Sequence, residues 1–271
     1  MKMTLLAGMA LTSAIALTAQ PLAQPTQTPE PEPGEFTADR PGFGVPTQVL
    51  PAGVLQFEGG FAWNSEAGQN TSQRTLTWGS PLARFGVGSN TEIRFGGDGF
   101  LSSRTVDTGH AVQARGWSDF SLGAKIALYP GHGLWPAFSL IPTISLPLGG
   151  PLFTSSAVDP SLTLAWSTNL PAKWSAGGTI GLASVSDGAG RFAQRTQAVS
   201  VGRALFAGLN GYVEAYHMSP AARGSDGTWM LDGGMTHALG RNAQLDLEAG
   251  RRVVSSTSCW FASLGFAIRR K

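Results

Sequence analysis

From Gly53 onward the chain alternates apolar and polar residues, the period-2 signature of β-strands, and it does so in twelve successive segments. In the first, Leu55, Phe57, Gly59, Phe61 and Trp63 share one face, while Gln56, Glu58 and Asn64 share the other. Ile93, Phe95 and Leu101 oppose Glu92, Arg94 and Asp98. Phe120, Leu122, Ala124, Ile126 and Leu128 oppose Asp119, Ser121 and Lys125. The same reading covers segments around Phe138–Leu146, Leu162–Trp166, Trp174–Leu182, Leu209–Tyr216, Trp229–Thr236, Gln244–Glu248 and Trp260–Ile268. Two segments are less regular. Thr75–Val87 places Leu76 and Trp78 on one face but Phe85 and Val87 on the other, which a bulge near Gly79-Ser80-Pro81 reconciles. Thr196–Leu205 puts Arg203 in phase with Val199 and Val201, which predicts an interfacial, snorkelling arginine. No amphipathic helix pattern appears.

The connections separate a membrane barrel from a soluble sandwich. Polar, loop-like stretches at Ser65–Gln73, Ser102–Arg115, Gly149–Asp159, Ser184–Arg195, Ser219–Gly227 and Arg251–Ser258 alternate with shorter connections. The shorter ones are Gly88-Ser89-Asn90, Tyr129–Trp135, Pro171-Ala172-Lys173, Phe206-Ala207-Gly208 and Gly240-Arg241. Long outer loops and short periplasmic turns are the pattern of outer-membrane barrels, and a sandwich gives no reason to sort loops by length. The fold class that follows is all-β: a transmembrane, antiparallel, up-and-down β-barrel of about twelve strands, over residues 53–271. Trp63, Trp78, Trp229 and Trp260 fall where strands meet the long loops, and Trp174 begins a strand at a short turn. All five have apolar-face parity, so they are candidates for the two aromatic girdles.

Composition fits this picture. Only 13% of the 271 residues are charged, 36 are glycine, and Trp (8) and Phe (14) outnumber Tyr (3). A net charge of +2 offers no basic field for nucleic acid. Cys259 is the sole cysteine, which excludes an internal disulfide and leaves a small wall residue as its simplest role. At the start, Lys2 precedes an uncharged apolar run, Met3–Leu17, with small residues at Ala19 and Ala23. That reads as a signal peptide over residues 1–23, cleaved near Ala19 or Ala23, and points to export into the envelope of a Gram-negative-type cell. Residues 24–52 form a Pro-rich linker and periplasmic lead-in, including Pro29-Glu30-Pro31-Glu32-Pro33-Gly34.

If the apolar faces meet lipid, the polar faces line the interior. That assigns Glu58, Glu92, Arg94, Asp98, Asp119, Lys125, Glu214, Asp232, Asp246 and Glu248 to the lumen. Two roles are open to them: tuning charge selectivity in a water-filled pore, or forming salt bridges that brace a plugged barrel. Asp39–Gln48 either folds into the lumen as a partial plug, with Asp39 and Arg40 pairing with interior charges, or remains a loose lead-in.

In order and spacing, Thr37–Phe43, Leu50–Glu58, Glu92–Gly99, Ser118–Lys125, Ile141–Pro147, Tyr212-Val213-Glu214 and Gln244–Glu248 resemble the family of outer-membrane transporters named after the meta-pathway of phenol degradation. The resemblance runs over about residues 37–268. It implies an outer-membrane barrel with a transport role, for small solutes that include aromatic or apolar compounds. The expected partners are outer-membrane lipid, a small-molecule solute and the barrel-insertion machinery, with no nucleic acid and no cofactor. Such barrels commonly end on an aromatic residue, whereas this chain ends Ile268-Arg269-Arg270-Lys271, leaving Phe266 and Ile268 as the insertion signal.

Two other classes compete with a channel. One is a structural or adhesin-like barrel with a plugged lumen. The other is a lipid-modifying enzyme, which needs a nucleophile beside a base. His217 and His237 carry outward parity, and His110 and His132 lie in connections with no serine or acid at telling spacing. Gly96-Gly97-Asp98-Gly99 precedes no helix and is no phosphate loop. The sequence therefore points to a non-enzyme without metal.

Overall fold

In hydrocarbon every backbone N–H and C=O must find a partner within the protein, so a sheet can cross a bilayer only when closed. The computed structural model describes residues 36–187, 190–220, 224–254 and 257–270. The expected signal peptide, with Ala19 and Ala23, and the expected linker up to residue 35 lie outside them. Twelve strands follow: β1 (Leu55–Ala67), β2 (Thr71–Gly86), β3 in two pieces (Thr91–Gly97 and Gly99–Asp107) and β4 in two pieces (His110–Trp117 and Phe120–Tyr129). After them come β5 (Ala137–Leu146), β6 (Asp159–Leu170), β7 (Trp174–Ser186) and β8 (Arg191–Phe206). The series ends with β9 (Leu209–Met218), β10 (Thr228–Ala238), β11 (Ala243–Val254) and β12 (Ser258–Arg270). Each strand pairs antiparallel with the next, and β12 pairs with β1 from Leu55 opposite Arg270 to Ala67 opposite Ser258. The barrel is closed.

Alternation sets which side chains face out. Phe57, Ile93, Ile180, Val213, Leu247 and Leu264 are exposed, while Gln56, Arg84, Glu92, Lys125 and Ser139 are the largest fully buried side chains. This inverts a soluble core, and only lipid accommodates the outer face. The bulge lies where the apolar parity switches. The β1–β2 register jumps between Glu58 and Gly60, leaving Ser80 and Pro81 without partners there, and Gly79 and Ser80 have φ of +94° and +37°. The extra residue lets Trp78 and Phe85 both face out. Arg203 lies over the Trp174 ring at 5.1 Å, so a polar head at a strand end rests on an aromatic face.

The long connections differ from expectation. Strands run through most of Ser65–Gln73, Ser102–Arg115, Ser184–Arg195 and Arg251–Ser258, so these are hairpin extensions rather than loops. Beyond the membrane both faces of a ribbon meet water, so pairing continues without the apolar alternation that marks a strand in sequence. Leu101 also departs from its expected face. It shares the inward side with Ser103, whose hydroxyl accepts hydrogen bonds from Gln73 and Thr75, because the break at Asp98 shifts the parity of the upper piece of β3.

A charge placed on the outward wall tests the orientation. Val213→Arg, at mid-strand, is expected to destabilise the lipid-embedded barrel by about 2–4 kcal/mol in urea unfolding, and His217→Arg, near the strand end, by about 0–1 kcal/mol. Equal costs would contradict a lipid-facing position for Val213.

Candidate functional site

Residues Phe36–Val54 form no strand, yet they hydrogen-bond to side chains on β1, β2, β3, β4, β5, β6, β9 and β11. Those strands surround the barrel, so only a segment inside it reaches them all. The N-terminal segment occupies the lumen.

On the β1–β4 side it completes an ion network. The Arg84 guanidinium clamps Glu92 in two bonds, Nε to Oε1 at 2.8 Å and Nη2 to Oε2 at 2.9 Å. Its Nη1 reaches Glu58 at 3.0 Å and Asp39 at 3.1 Å, and it also donates to the carbonyls of Thr37 and Gln48. The planar fork allows this many fixed donations from one side chain. Asp39, from the inserted segment, pairs also with Arg94 and with Lys125 at 2.7 Å. Lys125 further donates to the carbonyls of Pro46 and Gln48. Glu58 accepts the backbone N–H groups of Asp39 and Arg40, and Glu92 accepts that of Leu50. Arg84, Arg94 and Lys125 thus face Glu58, Glu92 and Asp39, three charges of each sign.

On the β9–β12 side the wall carries carboxylates in surplus. Glu214 accepts the N–H groups of Phe43 (2.6 Å) and Gly44 (2.9 Å), and Phe43 stacks on Tyr216 with centroids 4.4 Å apart. Asp246 pairs with Arg40 at 3.3 Å, Glu248 accepts from the Ser263 hydroxyl, and Asp232 is buried with both oxygens unpartnered. Arg40 lies against Gly60 and Gly265, which face each other across the β1–β12 seam; a Cβ on either would strike its guanidinium. Gly44 is equally constrained, since a Cβ there would sit 2.6 Å from Glu214 Oε2.

Space remains on both sides of the segment. A cavity of about 370 Å³ lies toward the short turns, between the segment and β6–β10, and includes Ser167, Thr168, Asn169, Ser200, Asn210 and Thr236 in its lining. A second, of about 210 Å³, lies on the outer side beside Val45, Arg94, Ser121 and Thr143.

The expected lumen residues therefore fall into three groups. Glu58, Glu92, Arg94, Lys125, Glu214 and Asp246 bond to the inserted segment, as do Asp39 and Arg40 from within it. Asp232 and Glu248 sit beside it. Asp98 and Asp119 stand apart: Asp98 is exposed at the break in β3, and Asp119 accepts the N–H groups of Gly149 and Ser155, tying the β5–β6 loop to the wall. Trp63, Trp78, Trp174, Trp229 and Trp260 are all exposed on the outer face. Not anticipated were Arg84, Gln56, Ser139, Ser167 and Gln244, all of which bond to the segment. A signal for Arg84 was available, since it lies between outward Ala83 and Phe85.

A family model described as "Putative MetA-pathway of phenol degradation" matches residues 38–269. No curated relative matches the chain. Among solved structures, the COG4313 outer membrane channel from Pseudomonas putida F1 superposes with a TM-score of 0.62 at 11% identity, over 85% of this chain and 99% of that one. The beta domain of the Bordetella autotransporter Brka gives 0.53 at 14% identity, over 80% and 99%. The transport unit of the autotransporter AIDA-I from Escherichia coli gives 0.51 at 10% identity, over 79% and 89%. At these identities the likeness is one of fold.

Removing the Asp39 carboxylate leaves three buried cations facing two carboxylates, and breaking a buried pair costs about 3–5 kcal/mol. Asp39→Ala is expected to make residues 36–52 cleavable by added protease in the folded, heat-modifiable barrel. Unchanged protection would show that other contacts hold the segment.

Proposed function

We propose, for a chain that belongs to this phenol-degradation family, that it is an outer-membrane channel for small solutes whose lumen is plugged by its own residues 36–54. The observation that carries this reading is the pair of cavities on either side of the inserted segment. A barrel built only to brace a membrane has no need of them. The larger cavity, at about 370 Å³, falls within the roughly 300–1,000 Å³ of small-molecule sites. Its hydroxyl- and amide-bearing wall, with Tyr212 in the lining, suits hydroxylated aromatic compounds better than purely apolar ones. Passage requires the segment to shift, and before Gly53 the segment is held by side chains rather than by strand pairing, so it can move without opening the barrel ladder.

The inner charges take both roles in turn. While the segment is docked they are salt-bridge partners; once it moves they face the solute path. The aromatic residues at the strand ends serve as the two girdles. Phe266 and Ile268, facing outward near the end of β12, are the residues the insertion machinery would read.

The competing reading is a plugged structural barrel, favoured by the completeness of the Arg84 network. Planar-bilayer recording separates the two. The wild type is expected to show small or infrequent conductance steps, and Asp39→Ala larger and more frequent ones. Swelling of vesicles loaded with the protein should admit phenol faster than a disaccharide. Silence from a folded Asp39→Ala barrel would overturn the channel.

A further inference from the structure

Among the described residues, the outward rows of the β2–β4 extensions carry charge of one sign. Beyond the exposed aromatics Trp78 and Trp117, the strands β2–β4 continue as the hairpin extensions described above, and their outward positions carry Arg74, Arg104 and Arg115, all exposed. Arg74 stands directly opposite Arg104 across the β2–β3 pair, and Arg115 stands opposite Ser102, diagonal to Arg104. Residues directly opposite in an antiparallel pair have Cβ atoms about 4.5–5.5 Å apart, and like charges placed so are destabilising. The outward neighbours in the same rows are Ser65 and Gln113, not carboxylates. Among the described residues, none of the three arginines makes an ion pair or side-chain hydrogen bond.

The height is as telling as the sign. Trp78, Phe100 and Trp117 form one row across β2–β4, with Phe100 and Trp117 edge to face at 5.7 Å. Arg115 lies two residues beyond that row and the Arg74–Arg104 pair four. At about 3.3 Å per residue on strands tilted by about 40°, they rise about 5–10 Å above the aromatics. Aromatic girdles mark the headgroup boundary, so the guanidiniums stand at the level of the outer-leaflet headgroups.

We propose that Arg74, Arg104 and Arg115 form a docking surface for the phosphate groups of a phosphorylated glycolipid in the outer leaflet. The guanidinium fork suits phosphate oxygens, and a bridging dianion turns the Arg74–Arg104 repulsion into attraction. The acyl chains of the same lipid lie along the outward apolar wall below, beside Trp78 and Phe100. The surface is separate from the lumen and does not depend on what the barrel conducts.

The test uses the full mature chain in detergent, titrated with bis-phosphorylated lipid A and followed by native mass spectrometry. The wild type is expected to retain lipid A. Replacing all three arginines by glutamine should weaken retention roughly 100-fold, at about one kcal-scale contribution per arginine near an anionic surface. Lipid A stripped of phosphate should bind the wild type no better than it binds the variant, and binding should weaken with salt. The periplasmic-end variant Arg203→Gln should bind as the wild type does. Should the triple variant fail to give a heat-modifiable band, Arg104→Gln alone, expected to lose about fivefold, takes its place. Equal retention by wild type and variant would overturn the proposal, as would displacement of lipid A by millimolar inorganic phosphate, which would point to free phosphate as the ligand.

Discussion

The Arg84 guanidinium holds the interior together. It is fully buried, clamped on Glu92, and reaches Glu58 and Asp39 with the same nitrogen. A cation so placed is tolerable only when every donor has a partner. The barrel wall alone does not supply enough: β1–β4 contribute Arg84, Arg94 and Lys125 against Glu58 and Glu92. Asp39 brings the missing negative charge. Across the lumen the wall contributes Glu214, Asp232, Asp246 and Glu248, and the neighbouring residue Arg40 brings a positive one. Two consecutive residues of the inserted segment thus hand opposite charges to opposite sides of the wall.

This arrangement also sets what can move. Within residues 36–54, the backbone hydrogen bonds to the wall's own backbone join Gly53 N–H to the Gly86 carbonyl and Gly86 N–H to the Val54 carbonyl, close to where β1 begins. Farther in, the segment is held by side chains that accept or donate to it. Such contacts are strong in a dry, neutral network and weak once one member is hydrated or lost, because the remaining charges are then unbalanced. The strand ladder shares none of these bonds. Stability of the barrel and occupancy of its lumen are therefore separable.

Much of this was legible along the chain. Strict alternation from Leu55 to Trp63, and again from Phe120 to Leu128, fixes an apolar outer face, and twelve such segments close the barrel. The parity switch between Trp78 and Phe85 locates the bulge at Gly79-Ser80-Pro81. What alternation does not carry is distance. Glu92 and Arg94 are neighbours on one strand and do pair, but Asp98 has the same parity and stands outside the network because the strand breaks there. Asp119 has inward parity too, yet spends its carboxylate on the backbone of a loop. The hairpin extensions are hidden for a different reason: a ribbon wet on both faces has no apolar period. Arg84 was overlooked because its strand changes phase, although the outward neighbours Ala83 and Phe85 imply its inward position.

Glycine shows why the segment sits where it does. Gly60 and Gly265 are opposite each other on β1 and β12, the first and last strands of the barrel. With no Cβ on either, the wall is one side-chain layer thinner there, and the Arg40 guanidinium fills the space. That slot has one half on each strand, so it exists only when β1 and β12 are paired. The position of Arg40, and with it the reach of Asp39 toward Arg84 and Lys125, is therefore defined by closure of the barrel. Closure supplies the slot, the slot seats Arg40, and the adjacent carboxylate neutralises the buried cations on β2–β4.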